Sequence, residues 1–191
     1  MKSFRTANSM RRGEQGSMLL ELLISMVVLA VGLGGMMILL ASAMYTNNRA
    51  GQDTTSTMVA EHILEQISAQ AANDIANLTI TDCAGTASNI ATQGATKGTG
   101  SGINGGDGAA LTSGGIVDWT QNHLAIPNGY AIDYVACGNG NRQTTYDIRW
   151  NVITMSTYAR MIIISARPQA SPTVGGLRYV MPVNLRTIGG M

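Results

Sequence analysis

The longest apolar stretch of the chain lies close to its first residue. After a short polar and basic segment, no charged residue occurs from Leu22 to Met44, and the next charge is Arg49. As an α-helix this stretch is about 35 Å long, enough to cross a bilayer core of about 30 Å. A cleaved secretory signal is the alternative, because Ala41-Ser42-Ala43 resembles a cleavage site, but its apolar region spans only about 7–15 residues. The pattern therefore predicts a transmembrane helix over residues 17–44.

Apolar residues then recur every three or four positions, which is typical of one face of a helix. They are Val59, Ile63, Ile67, Ala71, Ile75 and Leu78. Most polar side chains of this region lie off the stripe, and Gly51 need not end the helix. We therefore expect residues 45–80 to continue the first helix as an amphipathic segment that needs a partner surface.

Residues 81–115 are rich in Gly, Ser, Thr, Asn and Ala, and this composition is typical of a long mobile loop that buries little apolar area. Residues 116–191 instead show strand patterns. The predicted strands are Tyr130 to Val135, Tyr146 to Val152, Ala159 to Ala166 and Leu177 to Leu185. Pro182 favours an edge position for the last one. The expected fold is α+β, with one long N-terminal helix packed on a small antiparallel sheet.

Charge is sparse and unevenly placed. Only 12% of the residues are charged, about half the fraction of an ordinary soluble domain. Four basic residues precede Gly16, namely Lys2, Arg5, Arg11 and Arg12, and the rest of the chain has no basic surplus with which to hold a nucleic acid. Basic residues beside a membrane span stay cytoplasmic, so the segment after the span is expected on the other side.

Both cysteines, Cys83 and Cys137, lie beyond the apolar stretch, on the predicted extracytoplasmic side where disulfides persist. A bridge between them is the favoured interpretation. Two buried free thiols are the alternative that the sequence leaves open.

The junction between the basic segment and the apolar helix carries the most specific signal. Gly16 ends the segment, Ser17 begins the apolar run, and Glu21 is the one acidic residue inside it. A carboxylate inside hydrocarbon costs about 2.5–3.5 kcal/mol on insertion scales, so it normally has a polar partner. If the chain is cut after Gly16, the new α-amino group of Ser17 is a cation of suitable sign. It can pair with Glu21 of a neighbouring, staggered helix.

This arrangement resembles the class III signal of type IV pilins and pseudopilins. The resemblance implies that residues 1–16 are a leader which prepilin peptidase removes after Gly16, and that the new N-terminus is methylated. It also implies that Glu21 recognises the N-terminus of a neighbouring subunit during assembly. Ser17 stands where most members have Phe, and Ile38 where major pilins usually have a helix-kinking Pro. Gly32, Gly34 and Gly35 could supply helix flexibility here, although Gly is also simply common in transmembrane helices.

The run from Gly16 to Gly35, together with the strand containing Arg149-Trp150, is similar to PilV-type minor pilins. The expected function is that of a minor pilin in a type IV pilus, which primes assembly or joins the filament, with a possible role in adhesion or motility. The alternatives are a minor pseudopilin of a type II secretion system and a membrane-anchored binding protein. The expected partners are prepilin peptidase, other major and minor pilins and inner-membrane lipid, and the C-terminal domain is expected in the periplasm and then in the filament.

Catalytic and cofactor chemistry is not predicted. The glycines at 100, 102 and 105 match a dinucleotide fingerprint but lie in the loop, without the strand, helix and acidic residue that the site requires. His62 and His123 lack metal-ligand spacing, and Asp107 is alone as a possible calcium ligand. We therefore expect no enzyme activity, no cofactor or metal, no small-molecule substrate and no nucleic acid.

Overall fold

A computed structural model describes residues 14–138, 143–169 and 181–190 of the chain. One α-helix, α1 (Glu14–Ser68), is followed in sequence by short and long β-strands, which confirms the expected α+β class. The chain divides into two compact units, one extending to Arg49 and the other beginning at Ala50. Each unit is described by itself.

The first unit consists, where it is described, of the N-terminal part of α1. From Met18 to Met44 every large apolar side chain is between 52% and 75% exposed, on all sides of the helix. The helix is long enough and apolar enough to cross a membrane. Because water would have to hydrate this whole surface, the segment requires lipid or other protein around it.

The second unit contains a five-stranded antiparallel sheet and a separate hairpin. The hairpin is β1 (Leu78–Thr81) with β2 (Ala87–Ile90). The sheet contains β3 (Asp107–Gly108), β4 (Ala131–Cys137), β5 (Gln143–Ser156), β6 (Ala159–Pro168) and β7 (Val183–Gly189). Within it, β5 pairs with β6 along one side and with both β3 and β4 along the other, and β6 also pairs with β7.

The core of this unit forms between the end of α1 and the inner face of the sheet. Val59, Ile63 and Ile67 are buried on the helix, as the sequence periodicity predicts. They share one hydrophobic cluster with alternate residues of β5 and β6, including Tyr146, Ile148, Trp150, Val152, Ile162 and Ile164. The alternation of strand side chains thus places one apolar face of the sheet against the helix.

The prediction that the helix extends to about residue 80 is wrong, because α1 ends at Ser68. Ile75 is exposed and Leu78 begins β1. The guanidinium of Arg160, on β6, reaches the end of the helix and donates to the carbonyl oxygens of Ile67 (2.5 Å) and Gln70 (3.1 Å). A cation at these unpaired carbonyls satisfies the helix C-terminus and its dipole, so the chain turns away there.

Residues 81–115 also differ from expectation, because part of this segment is packed. It contains β2 and β3, and Ala109, Ala110 and Leu111 are almost completely buried. The side chain of Asn151 on β5 accepts from Gly106 N (3.1 Å) and donates to Ala109 O (2.8 Å). At Gly102 and Gly105 a Cβ would collide with the Asn151 amide, so the glycines permit close packing on the sheet.

The four predicted strands correspond to β4, β5, β6 and β7, with shifted bounds. The last prediction began at Leu177, which lies outside the described residues, whereas the described strand begins at Val183. Pro182 directly precedes this strand and takes no part in it. Within the described residues β7 pairs only with β6, which agrees with the predicted edge position.

Candidate functional site

Glu21 lies on α1 inside the exposed apolar stretch, about one helical turn after Met18. Its backbone carbonyl accepts a hydrogen bond from Ser25 Oγ (2.8 Å), as in any helix turn with a serine four residues later. Among the ion pairs formed by the described residues, none includes Glu21. The carboxylate is therefore free to meet a partner from outside this part of the chain.

Gly16 and Ser17 belong to the same helix, because α1 begins at Glu14 and runs through the predicted cleavage point without interruption. Ser17 precedes Glu21 by four residues, which is about 6 Å along the helix axis. The predicted α-amino group and the carboxylate would therefore lie about one turn apart on one subunit. Whether the chain is cut after Gly16 and methylated at Ser17 stays a prediction.

Gly32, Gly34 and Gly35 also lie within the uninterrupted helix. A Cβ added at any of them would meet nothing within 4 Å, so packing within this chain does not require glycine there. Their predicted role in helix flexibility stays a prediction. Because these three glycines have no side chains, another helix could approach the backbone closely at these positions.

The predicted Cys83–Cys137 disulfide is formed, with Cα atoms 5.9 Å apart. It joins the turn after β1 to the end of β4. Asp82, buried beside it, accepts hydrogen bonds from Thr86 N (2.8 Å) and Val135 N (3.3 Å). The bridge and the carboxylate together attach the β1–β2 hairpin to the edge strand of the sheet.

The outer face of the sheet, turned away from α1, carries a charged cluster that the sequence did not predict. Arg149 Nη2 donates to Asp147 Oδ2 at 2.7 Å, and the guanidinium of Arg167 lies 3.8 Å from the same oxygen. Both guanidinium groups also lie over the ring of Trp119, at 4.4 Å and 4.1 Å. The only sequence signal was the position of Asp147 and Arg149 two residues apart, hence on one face of a strand.

His123 joins this cluster, with Nδ1 3.1 Å from Asp147 Oδ1. A ring nitrogen of His123 and one carboxylate oxygen each of Asp133 and Asp147 all lie within 4.8 Å of one another. This spacing is compatible with a bound metal ion. However, the Asp147 carboxylate already accepts from Arg149 through Nε and Nη2, and Arg167 adds a second positive charge. Since two guanidinium groups offset the two carboxylates, a dication would gain little here, and we interpret the cluster as a structural ion-pair network. His62, by contrast, is exposed on α1.

Comparisons with protein-family models, with curated proteins and with solved structures found no match to this chain. Its functional interpretation therefore depends on its own residues: an exposed apolar helix with one carboxylate, followed by a disulfide-linked sheet unit.

Proposed function

We propose that this chain is a minor pilin, a membrane-inserted subunit that primes assembly of a type IV pilus or joins its filament. The observation that carries the proposal is Glu21, a single carboxylate in a helix whose apolar side chains are exposed on every side. A helix that only anchors a protein gains nothing from this charge, which costs about 2.5–3.5 kcal/mol in a bilayer. A subunit that must recognise a neighbour's amino terminus recovers that cost by pairing.

The second unit fits the same role. Its core closes against the end of α1 through Val59, Ile63 and Ile67. Between Met18 and Met44 the apolar side chains of the helix are exposed and form an unpartnered apolar surface. In a filament, neighbouring helices would cover that surface after it leaves the lipid. The apolar exposure that would be a liability for a soluble protein thus becomes the assembly surface.

The intact mass of the mature protein tests the processing step. We expect a chain that begins at Ser17, with or without one added methyl group. A mature chain that still contains residues 1–16 would have no α-amino group beside Glu21, and this result would contradict the proposal. A chain that begins after Ala43 would indicate an ordinary secreted protein.

The substitution Glu21→Ala tests the assembly step. Losing one partner of a desolvated charge pair costs about 2 kcal/mol or more, so we expect the amount of subunit in sheared filaments to fall by about 30-fold or more. Insertion into the membrane should be unchanged or easier, because the carboxylate opposes it.

The matched control is Glu61→Ala, which removes an exposed carboxylate from the same helix within the second unit. Its incorporation into filaments should equal that of the unsubstituted chain. If Glu21→Ala is incorporated as well as Glu61→Ala, the helix serves only as an anchor, as in a membrane-anchored binding protein. Co-purification with secretion-system subunits instead of pilus subunits would indicate a minor pseudopilin.

A further inference from the structure

The Cys83–Cys137 disulfide lies at the surface of the sheet unit, and both of its residues are exposed. Cysteine is otherwise among the residue types that are most often buried. Exposure matters chemically because a thiolate must reach a sulfur atom of the bridge in order to break it. An exposed bridge can meet a dissolved thiol without prior unfolding of the protein, whereas a buried bridge cannot.

The backbone beside the bridge is held by hydrogen bonds that do not involve sulfur. The buried carboxylate of Asp82 accepts from Thr86 N (2.8 Å), which closes the turn of the β1–β2 hairpin. The same carboxylate accepts from Val135 N on β4 (3.3 Å), and Cys83 N donates to Val135 O (3.3 Å). The last two bonds join the hairpin to β4 at positions next to the bridge, so this junction does not depend on the sulfur–sulfur bond alone.

Apolar packing anchors the same hairpin from its other side. Ile80 on β1 and Ile90 on β2 are buried in the hydrophobic cluster of the sheet unit. Directly after β2, Ala91 N donates to Gly129 O (2.7 Å), just before β4. In the chain-entropy model a disulfide stabilises by restricting the unfolded chain, so breaking it removes none of these contacts. The two cysteines, whose Cα atoms are 5.9 Å apart, should therefore remain neighbours when the bridge is open.

We propose that the Cys83–Cys137 bridge is a thiol–disulfide exchange site, which a dithiol opens and a disulfide oxidant closes while the sheet unit stays folded. In the opening direction, a thiolate of the dithiol attacks one sulfur of the bridge and forms a mixed disulfide with it. The other cysteine leaves as a thiolate and takes up a proton. The second thiol of the dithiol, once deprotonated, then attacks the mixed disulfide and releases the first cysteine, which is protonated in turn. The protein thus gains two electrons and two protons, and the dithiol becomes a disulfide; closure is the reverse of these steps.

The alternative is a bridge that opens only when the sheet unit unfolds, and reduction kinetics distinguish the two routes. The full chain in a non-ionic detergent is mixed with dithiothreitol, and free thiols are counted over time by maleimide alkylation after an acid quench. We expect the rate constant for the native chain to lie less than about thirtyfold below that for the chain unfolded in urea. A larger gap would overturn the proposal, because reduction through unfolding is slowed by the folding equilibrium constant, about a thousandfold or more.

A conservative substitution in the core separates the two routes a second time. Ile63→Val removes one methylene group from a completely buried side chain and should favour unfolding by about fivefold. Reduction through unfolding would become faster by the same factor, whereas exchange on the folded unit should keep its rate. Ile38→Val is the matched control, because Ile38 is exposed and its substitution should change neither route. A fivefold acceleration in Ile63→Val but not in Ile38→Val would contradict exchange on the folded unit.

Tryptophan emission and reoxidation test whether the open form stays folded. Trp150 is completely buried in the sheet unit, so its emission reports unfolding. After full reduction without urea, we expect the native emission, and removal of dithiothreitol followed by oxidised glutathione should re-form the bridge. Emission like that of the urea-unfolded chain, or failure of the bridge to re-form, would overturn the proposal. These measurements need neither leader removal nor filament incorporation, so their failure would leave the proposed function intact.

Discussion

Two stretches of the same helix show how one secondary structure serves two different environments. Between Met18 and Met44 the apolar side chains point in every direction and are exposed. Between Val59 and Ile67 they form a narrow stripe that is buried against the sheet. A helix that is apolar all round is suited to lipid or to other helices, whereas an amphipathic one is suited to its own domain. The second stretch therefore packs in the core of the sheet unit, whereas the first offers the exposed surface on which the proposed assembly depends.

Tryptophan fluorescence can follow this difference in solution. Trp119 and Trp150 are the only tryptophans of the chain, and both belong to the second unit. Urea unfolding of the detergent-solubilised protein, followed by their emission, thus reports on the sheet unit, and far-ultraviolet circular dichroism reports on the helix as well.

Removing the disulfide should cause the largest fall in the free energy of unfolding of the sheet unit. In the double variant Cys83→Ser/Cys137→Ser, the unfolded sheet unit regains the freedom of a loop of 54 residues. The chain-entropy model then predicts a loss of about 4 kcal/mol in the free energy of unfolding. The fluorescence midpoint should fall to lower urea, while the helical signal of the apolar stretch persists. An unchanged midpoint would mean that hydrogen bonds such as those of Asp82 hold the hairpin without the bridge.

The next largest fall in the free energy of unfolding is expected from Ile63→Ala, with Ile38→Ala on the same helix as its control. Ile63→Ala creates a cavity in the core, since Ile63 is completely buried, and should cost about 3 kcal/mol in the free energy of unfolding. Ile38→Ala removes the same atoms from a side chain that is 72% exposed, and should change this free energy by less than about 0.5 kcal/mol. Similar effects of the two substitutions would contradict the division of the helix into an exposed and a packed stretch.

The smallest predicted effect concerns alkaline pH. Burial, and secondarily the charge of Asp107, raises the pKa of Tyr130 to about 12 from its ordinary value of 10. Between pH 10 and 12 the native state therefore keeps this proton while the unfolded state loses it. The contribution of Tyr130 to the free energy of unfolding is complete below pH 10 and is lost as the pH rises towards 12. The expected loss is about 2 kcal/mol, measured as the fall of the urea midpoint over this range.

Tyr130→Phe should remove this part of the pH dependence, although it also loses the hydrogen bond from the Tyr130 hydroxyl to Gln93 O (2.7 Å) at every pH. Tyr158→Phe is the control, because Tyr158 is 72% exposed and lies in the turn between β5 and β6. The slopes of the two variants between pH 10 and 12 should differ. Parallel slopes would assign the alkaline sensitivity to other groups.

Much of the fold was predictable because it depends on local periodicity. The charge-free run from Leu22 to Met44 is visible in sequence, and so are the stripe through Val59, Ile63 and Ile67 and the alternation of the four strands. Gly16 and Glu21 could be proposed as processing and assembly residues from the sequence alone because they are close together in it, and these roles stay predictions. Their proposed chemistry concerns a neighbouring subunit, so the fold of one chain adds little to it.

Long-range contacts limited the prediction elsewhere. The helix was expected to continue to about residue 80, since nothing near Ser68 in sequence indicates that Arg160 will reach its carbonyl groups from β6. The glycine-rich segment was expected to bury little, because its packing depends on Asn151, more than forty residues away. The charged cluster was not predicted because Trp119 and His123 contact residues of β5 and β6, which lie more than twenty positions later in the sequence.

The order of apolar and polar residues alone determined that this chain forms a long helix followed by a small sheet, and that one carboxylate lies in the apolar run. These features depend on neighbours within a few turns or residues, where side-chain spacing fixes the geometry. Only the tertiary structure decided where the helix ends, how the glycine-rich segment packs, and that Arg149 lies between Asp147 and the ring of Trp119. Such features arise when residues distant in sequence satisfy, or fail to satisfy, one another's polar groups.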